Sequence, residues 1–561
     1  MTPPSQSNRW RRLRRCLLAA AVVLTLIAAF YTEEKWRGKR AWENCKRGME
    51  AKGIKMDWAE YIPAPVPDAE NVFAVPEMQE WFVGRGGTEL SKKILALGSS
   101  NSSSPRISVA EVAMGLPGAV PPSGFAVLSY GDAQAKAQMS RLIEDAIGPS
   151  ARDPLGLVHT LRRAEEIQPA KIFLQCQTNP TAKDLEHFLP SPIIPAWRLA
   201  TWNEQVHVTP ASNGFFQVTI LAPDTTAEYL ASNAPLEPEF TLIRRALQRP
   251  YTRINGDYQI ANEIPIPNFV TVRAISQRLG ALAQCHLLQG QPEEALRDLT
   301  LVHDLCRILE SRPSGNPMTL VAAMIHVAVS GLYTGVIADG LAWHAWREPQ
   351  LVALQEQLKE TSLLPNVRRA FRQRPVWASQ YLERLSVPHM GIETSRSFAW
   401  IPRGWIYQNM FRGTEVTRTI IDSMDPADQM VFPKKVDAVQ KALEEALRHY
   451  SPYTFLMQIG IPNFSRASLT TANNQTLVNE ALIACALERY RLAHNAYPET
   501  LDALVPQYLA QVPGDIIGGQ PLHYRRADDG KFLLYSIGWN ETDDGGKPGS
   551  NDDWVWDDTV R

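Results

Sequence analysis

Cysteine is scarce and scattered in this chain. There are six among 561 residues and no C-x-x-C pair: Cys16, Cys45, Cys176, Cys285, Cys306 and Cys485. This spacing excludes a zinc framework and a small disulfide scaffold. Cys285 and Cys306 are predicted to lie on the two helices of one hairpin, but a turn at Gly290 places them at heights that differ by roughly 16 Å, too far for a disulfide. We therefore expect six buried thiols.

The sequence also lacks the familiar catalytic signatures. It contains no H-E-x-x-H, no G-x-S-x-G, no phosphate-binding loop with its lysine and no dinucleotide fingerprint. Cys285-His286 and His303-x-x-Cys306 have the residue types of a zinc site, but the same difference in height separates them. Catalytic groups often converge from distant positions, so these absences lower the expectation of an enzyme without excluding one.

Net charge is nearly absent. A formal charge of −2 gives no bulk electrostatic reason to expect a nucleic-acid partner. The hydrophobic content of 45% and charged content of 21% are those of a globular protein. At this length we expect two to four domains.

The N-terminus carries the clearest pattern that is present. Five arginines precede an uncharged run from Cys16 to Thr32: Arg9, Arg11, Arg12, Arg14 and Arg15. Seventeen residues are at the short end of a membrane span, and the arginines favour a cytoplasmic N-terminus. The charged, helix-favouring stretch Glu33–Gly53 favours an uncleaved anchor over a cleaved signal peptide, which stays as the alternative. The expected location is the cytoplasmic (inner) membrane, single-pass, with the bulk extracytoplasmic.

A second run, Met318–Ala338, has 21 residues without a formal charge and could also cross a bilayer. It contains small and polar residues, including Gly331-x-x-x-Gly335, which permits close helix contact in membranes and in soluble cores. Its flanks resemble amphipathic soluble helices. We expect the buried central helix of a helical domain and keep a second span as the alternative.

Composition divides the chain into six segments. They are a basic tail at 1–15, an anchor at 16–32, a charged helix and proline-rich linker at 33–66, a mixed α/β region at 67–250, a helical domain at 251–470 and a small α+β module at 471–561. The predicted fold class is multidomain and predominantly α-helical, with a mixed α/β N-terminal region and a small α+β C-terminal module.

One helical hairpin is distinct within the helical domain. Residues 269–311 show apolar spacing of three to four on both sides of the turn Gln289-Gly290-Gln291-Pro292. The hairpin resembles one tetratricopeptide unit, because that family places its packing and turn residues where this chain has Leu282, Leu288-Gln289-Gly290 and Glu294-Ala295-Leu296. No second copy follows at a 34-residue period. A peptide-binding helical array is therefore an alternative to a plain helical core.

Residues 397–416 combine aromatic residues with arginines: Phe398, Trp400, Trp405, Tyr407 and Phe411 lie beside Arg403 and Arg412. Such a combination suits a membrane interface or a partner groove. A loop that fills the core is the alternative.

The C-terminal 80 to 90 residues resemble the C-terminal domain of the major pseudopilins of type II secretion. The order is a helix, Tyr497-Pro498, Val512-Pro513-x-Asp515, a hairpin with Asp529-Gly530 at its turn, and an Asp/Gly/Asn-rich loop. The resemblance implies calcium in that loop, with Asn540, Asp543, Asp544, Asp552 and Asp553 as ligands, and calcium does favour six to eight oxygens. A turn with exposed carboxylates is the alternative.

The N-terminus shows no prepilin cleavage junction, so polymerisation does not carry over. Trp554 and Trp556 predict that the chain returns to a core after the loop.

As a whole the chain resembles uncharacterised membrane-anchored bacterial envelope proteins that carry an Ile-Pro-x-Pro-Val-Pro-Asp linker, here Ile62–Asp68. The leading hypothesis is a non-enzymatic, extracytoplasmic binding or scaffold protein of the envelope, related to secretion, with an envelope protein or a peptide as partner. The alternatives are a hydrolase with its site in 67–250 and a peptide-binding helical repeat.

Overall fold

The computed structural model describes residues 6–99, 106–116, 118–130, 133–147, 168–176, 181, 185, 206–211, 215–221, 226–261, 263–310, 313–385, 401–425, 429–448, 451–460, 464–527, 530–547 and 552–556. It confirms the predicted fold class. Helices predominate, a mixed sheet lies in the N-terminal half, and small sheets lie near the C-terminus. The pair Asp153-Pro154 predicts the start of a helix over 153–167, and this segment falls outside the described residues.

One helix, α1, runs without a break from Gln6 to Ala51. Its apolar part is exposed, which corrects the expectation that Cys16 is buried: this thiol lies in the apolar run, which none of the described residues covers. Beyond the run, one face of α1 is buried at Glu34, Gly38, Trp42, Cys45 and Met49. The spacing of three and four places these residues on a single helix face. The charged segment is therefore an amphipathic helix built into the body.

The N-terminal half contains helices α2 (Pro76–Phe82) and α3 (Glu89–Ser99) and a five-stranded mixed sheet. The strands are β1 (Arg106–Gly115), β2 (Ala126–Ser129), β3 (Ala170–Gln175), β4 (Val206–Pro210) and β5 (Phe215–Leu221), in the order β2-β3-β1-β5-β4. β2 and β1 pair in parallel with β3, whereas β5 is antiparallel to β1 and β4. Helix α4 (Ala133–Ile147) packs on β1, β2 and β3. The mixed α/β character predicted for this region is thereby confirmed.

The helical domain continues from α5 (Thr226–Asn233) and α6 (Glu237–Leu247) into the predicted hairpin, α7 (Phe269–Leu288) and α8 (Pro292–Leu309). Asn268 caps α7, because its Oδ1 accepts the N–H of Thr271. Gly290 adopts a left-handed φ of +70° in the turn. The hairpin itself is confirmed; its membership of a repeat array stays a prediction.

Helix α9 (Leu320–Ala342) occupies the centre of this domain and corresponds to the second apolar run. It packs against α7, α8, α11 (Leu363–Leu385) and α15 (Phe464–His494). Together with α1 it is one of two helices, among the described residues, that are long and apolar enough to cross a membrane. Unlike the apolar run of α1, most of α9 is buried among its neighbours, as expected for a core helix.

The remaining helices complete the body. They are α10 (Glu348–Glu360), α12 (Arg403–Ile421), α13 (Pro433–Leu447) and α14 (Phe455–Gly460). A two-stranded ribbon, β6 (Met424–Asp425) and β7 (Met430–Val431), joins α12 to α13. Helix α12 lies along the buried face of α1 and also contacts α11 and α13.

The C-terminal module places a three-stranded antiparallel sheet against α15. Its strands are β8 (His523–Arg526), β9 (Phe532–Ser536) and β10 (Trp554–Trp556), with β9 in the centre. Trp554 and Trp556 are both buried, so the predicted return of the chain to a core after the acidic loop is confirmed. The module shares one continuous apolar core with the helical domain, whereas the mixed sheet has a core of its own.

Candidate functional site

The acidic loop between β9 and β10 is folded around Asp553. This carboxylate is almost fully buried, and it accepts N–H groups from Asp544 at 3.0 Å and from Gly546 at 2.7 Å. Gly545 and Gly546 adopt left-handed φ angles of +76° and +80°, which residues with a side chain rarely adopt. Asp553 therefore supplies partners to two backbone donors in a partly buried turn.

Asp543 is held on the outer side of the loop. Its carboxylate accepts the N–H of Gly545 at 2.9 Å and the hydroxyl of Tyr535 at 3.1 Å, and it lies 3.5 Å from Nδ1 of His523. The Gly545 N–H, with smaller contributions from Tyr535 and His523, lowers the pKa of Asp543 and keeps it ionised.

The other predicted calcium ligands lie nearby, but their hydrogen bonds and exposure differ from those of Asp543 and Asp553. Asn540 donates from Nδ2 to Asp544 at 2.8 Å and accepts the N–H of Thr542 at 2.8 Å. Asp552 is exposed, and its backbone carbonyl faces Gly538, where it leaves no room for a Cβ. The structure thus brings Asn540, Asp543, Asp544 and Asp553 together through hydrogen bonds within the loop. Among the described residues, no three His, Cys, Asp or Glu side chains are arranged to hold a metal. Calcium in this loop stays a prediction.

The predicted Cys285-His286 and His303-x-x-Cys306 set is dispersed. Cys285 packs in the core of the mixed sheet, whereas Cys306 packs in the helical core. His286 lies 3.7 Å from buried Asp298, and His303 lies 3.9 Å from Glu360. The two helices of the hairpin therefore hold Cys285-His286 apart from His303-x-x-Cys306, as the difference in height along the helices predicts.

Polar contacts join α9 to the C-terminal end of α8 and to α10 near these residues. His326 is buried, with Nε2 3.6 Å from Glu310, and Tyr333 donates its hydroxyl to Gln357 at 2.6 Å. Burial, with the neighbouring His303, lowers the pKa of His326 to about 4, while burial raises the pKa of Glu310. Both shifts favour the uncharged forms.

Buried Glu488 of α15 joins the C-terminal module to the end of α9. It accepts hydrogen bonds from Arg491, from Tyr497 and from Nδ1 of His344, a residue with a left-handed φ of 51°. Burial alone would raise the pKa of Glu488, but Arg491 and His344 outweigh it and lower this pKa to about 2. Because Glu488 is fully engaged in these contacts, its role is to fix the two parts together.

An apolar groove of about 710 Å³ runs between α12 and α13. Val439, Leu443 and Met457 form its buried floor, and Ala438, Ala442 and Ala446 are exposed along α13 at intervals of one turn. Arg412, Glu415, Asp422 and Lys435 lie at its edges. Sequence reasoning missed this groove, although the alanines at every fourth position were a usable signal. Its volume lies in the range of ligand and peptide sites.

The groove is linked to residues 34–37 of α1 through Tyr453. The Tyr453 hydroxyl donates to buried Glu34 at 3.2 Å and accepts from Arg37 at 2.7 Å. The guanidinium of Arg412 lies 5.8 Å from the centre of the Tyr453 ring. The aromatic and arginine residues predicted to form an interface thus lie partly on α12, at this end of the body; Phe398 and Trp400 lie outside the described residues.

A second cavity of about 710 Å³ lies between α10, α15 and residues 509–519. Two of the four amide side chains that line it have structural partners, since Gln475 accepts the N–H of Leu363 and Asn479 donates to the carbonyl of Gly514. These contacts favour a packing role for this cavity.

Comparisons of the chain with models of protein families, with curated proteins and with solved structures found no match. The resemblances to pseudopilins, to a tetratricopeptide unit and to envelope proteins therefore stay predictions.

Proposed function

We propose that this protein is a membrane-anchored binding or scaffold protein of the bacterial envelope, with its N-terminus in the cytoplasm and its body on the other side. One observation supports the anchor above all others. The apolar part of α1 is exposed while the turns that directly follow it are packed into the body. A soluble protein would gain little from such an uncovered apolar run. The arginines before the run support the orientation.

The groove between α12 and α13 supports the binding part of the proposal. Its floor is apolar, its alanines permit close approach, and charged residues of both signs lie along its edges. These are the features that hold the apolar face of an amphipathic peptide or helix. Because Tyr453 ties this region to Glu34 and Arg37, a peptide partner would be held at a fixed height above the bilayer. The resemblance to a pseudopilin domain extends the proposal to a role in secretion.

Cysteine labelling in intact spheroplasts tests the anchor and its orientation. In a Cys16→Ser background, Lys441→Cys on the exposed side of α13 should react with a membrane-impermeant maleimide. Ser7→Cys should react only after permeabilisation. The remaining natural cysteines are buried and serve as an internal control for unfolding. The reverse labelling pattern would contradict the orientation, and extraction of the protein by carbonate would contradict the anchor.

Site-specific photo-crosslinking tests the groove. A photoreactive phenylalanine analogue at Ala442 should form a discrete protein or peptide adduct in cells, and the same residue at Glu444, which is exposed on α13 but does not line the groove, should not. Equal crosslinking at both positions, or none at either, would remove the groove from the proposal.

A further inference from the structure

We infer that the first two turns of α1 beyond the bilayer, together with the start of α12, form a collar that binds anionic phospholipid headgroups. The collar consists of Lys35, Trp36, Lys39, Arg40 and Arg403. The inference rests on the proposed function, since it takes residues 16–32 as the membrane span.

The height of these residues places them at the headgroup layer. Lys35 and Lys39 lie roughly 4.5 and 10 Å beyond Thr32 along a continuous helix. The headgroup layer adds roughly 5 to 7 Å to each side of the hydrocarbon core. Lys and Arg side chains are long enough to reach back toward that layer. Arg403 lies at the same height, because its neighbour Gly404 packs on the backbone of Glu34 and Lys35.

The collar side chains are exposed and therefore open to lipid. The body covers the face of α1 that carries Glu34 and Gly38, which are buried. All five collar residues are exposed. Trp36 is 63% exposed, a large fraction for an aromatic residue, and its ring lies 5.4 Å from the guanidinium of Arg40. An exposed tryptophan with neighbouring cations at this height is typical of a membrane interface.

The local charge balance favours anions. Arg37 is paired with buried Glu34, so these two charges offset each other. Four collar cations then remain beside the exposed carboxylates Glu33 and Glu43. Basic residues this close to a bilayer are attracted to anionic lipids within a Debye length. We therefore expect the collar to bind anionic headgroups several-fold more strongly than zwitterionic headgroups.

Lipid photo-crosslinking in nanodiscs tests the collar. The full-length protein is reconstituted with photoactivatable phosphatidylglycerol or phosphatidylcholine, and the crosslinks are mapped by mass spectrometry. Three forms are compared: the wild type, K35Q/K39Q/R40Q/R403Q, and the matched control K434Q/K435Q/K441Q/R448Q. The control removes four exposed cations, three from α13 and one at Arg448, which directly follows it.

In the wild type and the control, phosphatidylglycerol should label residues 33–43 and 401–407 several-fold more than phosphatidylcholine. In the collar variant the two lipids should label these residues equally. Labelling near Arg9–Arg15 should stay the same in all three forms. Equal labelling by both lipids in the wild type, or a preference that persists in the collar variant, would overturn the inference. Failure of the anchor itself would appear differently, as no labelling of residues 16–32 by either lipid.

Discussion

Gly38 of α1 and Gly404 of α12 bring the two helices into backbone contact. A Cβ built on Gly38 would lie 2.9 Å from the Cα of Gly404, and one built on Gly404 would lie 2.8 Å from the N of Lys35. No side chain fits at this crossing, so the distance between the helices depends on both glycines.

Replacing Gly38 with leucine should separate α1 from α12. Overpacking at a tight contact costs typically 1 to 3 kcal/mol, and here both sides of the contact are backbone, so we expect about 3 kcal/mol. Thermal unfolding in detergent and protease cleavage within residues 33–51 measure the effect. Gly48→Leu is the matched control, because Gly48 is exposed on the same helix with nothing within 4 Å. Equal melting temperatures for the two variants would show that the contact is not needed.

Asp553→Asn should unfold the acidic loop in the absence of any metal. The variant weakens hydrogen bonds from Asp544 and Gly546 to a buried charge, at an expected cost of about 2 kcal/mol. Asp552→Asn, at the exposed neighbour, should leave stability unchanged without calcium. Thermal unfolding with a chelator measures both.

The same two variants test calcium. If calcium binds with Asp552 among its ligands, millimolar calcium should raise the melting temperature of the wild type, and Asp552→Asn should reduce that gain. No gain in the wild type would exclude a calcium site that is linked to folding.

Acid should destabilise the body through His326. Its pKa is about 4 in the folded protein against about 6.5 in an unfolded chain, so between these values the unfolded state binds more protons. Stability should therefore fall as the pH drops from about 6.5 to about 4, by about 3 kcal/mol from this residue. His326→Gln should flatten this part of the profile. His494→Gln, at an exposed histidine, should not, and identical profiles for the two variants would contradict the assignment.

Helix α9 should be accessible to water at its first turn. Val321 is 57% exposed, whereas Ala323 is buried. In a Cys16→Ser background, Val321→Cys should react with a hydrophilic maleimide in the native protein, and Ala323→Cys should react only after denaturation. Protection of both positions in membranes, with reaction of both in denaturant, would instead indicate a second span.

The sequence predicted elements that depend on local patterns. Apolar spacing predicted the α7–α8 hairpin. The two alternating tryptophans predicted that the chain returns to a core after the acidic loop, as it does at β10. The features that the sequence did not predict depend on contacts between residues that are far apart in the chain. Gly38, Trp42, Cys45 and Met49 already form a stripe of one helix face, but the charges around them concealed it. The crossing at Gly404 cannot be read from either segment alone.

The acidic loop shows the same limit at the level of single residues. Asp552 and Asp553 are adjacent and identical in type, and sequence reasoning gave them one role. Their places just before β10 differ: Asp553 faces the loop amides, and Asp552 faces solvent. Only the fold separates a carboxylate that organises the loop from one that is free to bind a cation.

Under the proposed function, in which residues 16–32 span the membrane, the unbroken course of α1 fixes more than the distance of the body from the bilayer. Each residue in an α-helix adds 1.5 Å of rise and about 100° of rotation. One residue inserted after Thr32 would lift the body only slightly but would turn it by more than a quarter of a circle relative to the span. Four inserted residues would nearly restore the original direction. The body would therefore keep a fixed rotational orientation relative to this proposed anchor, and any partner within the same membrane would meet a defined side of the body.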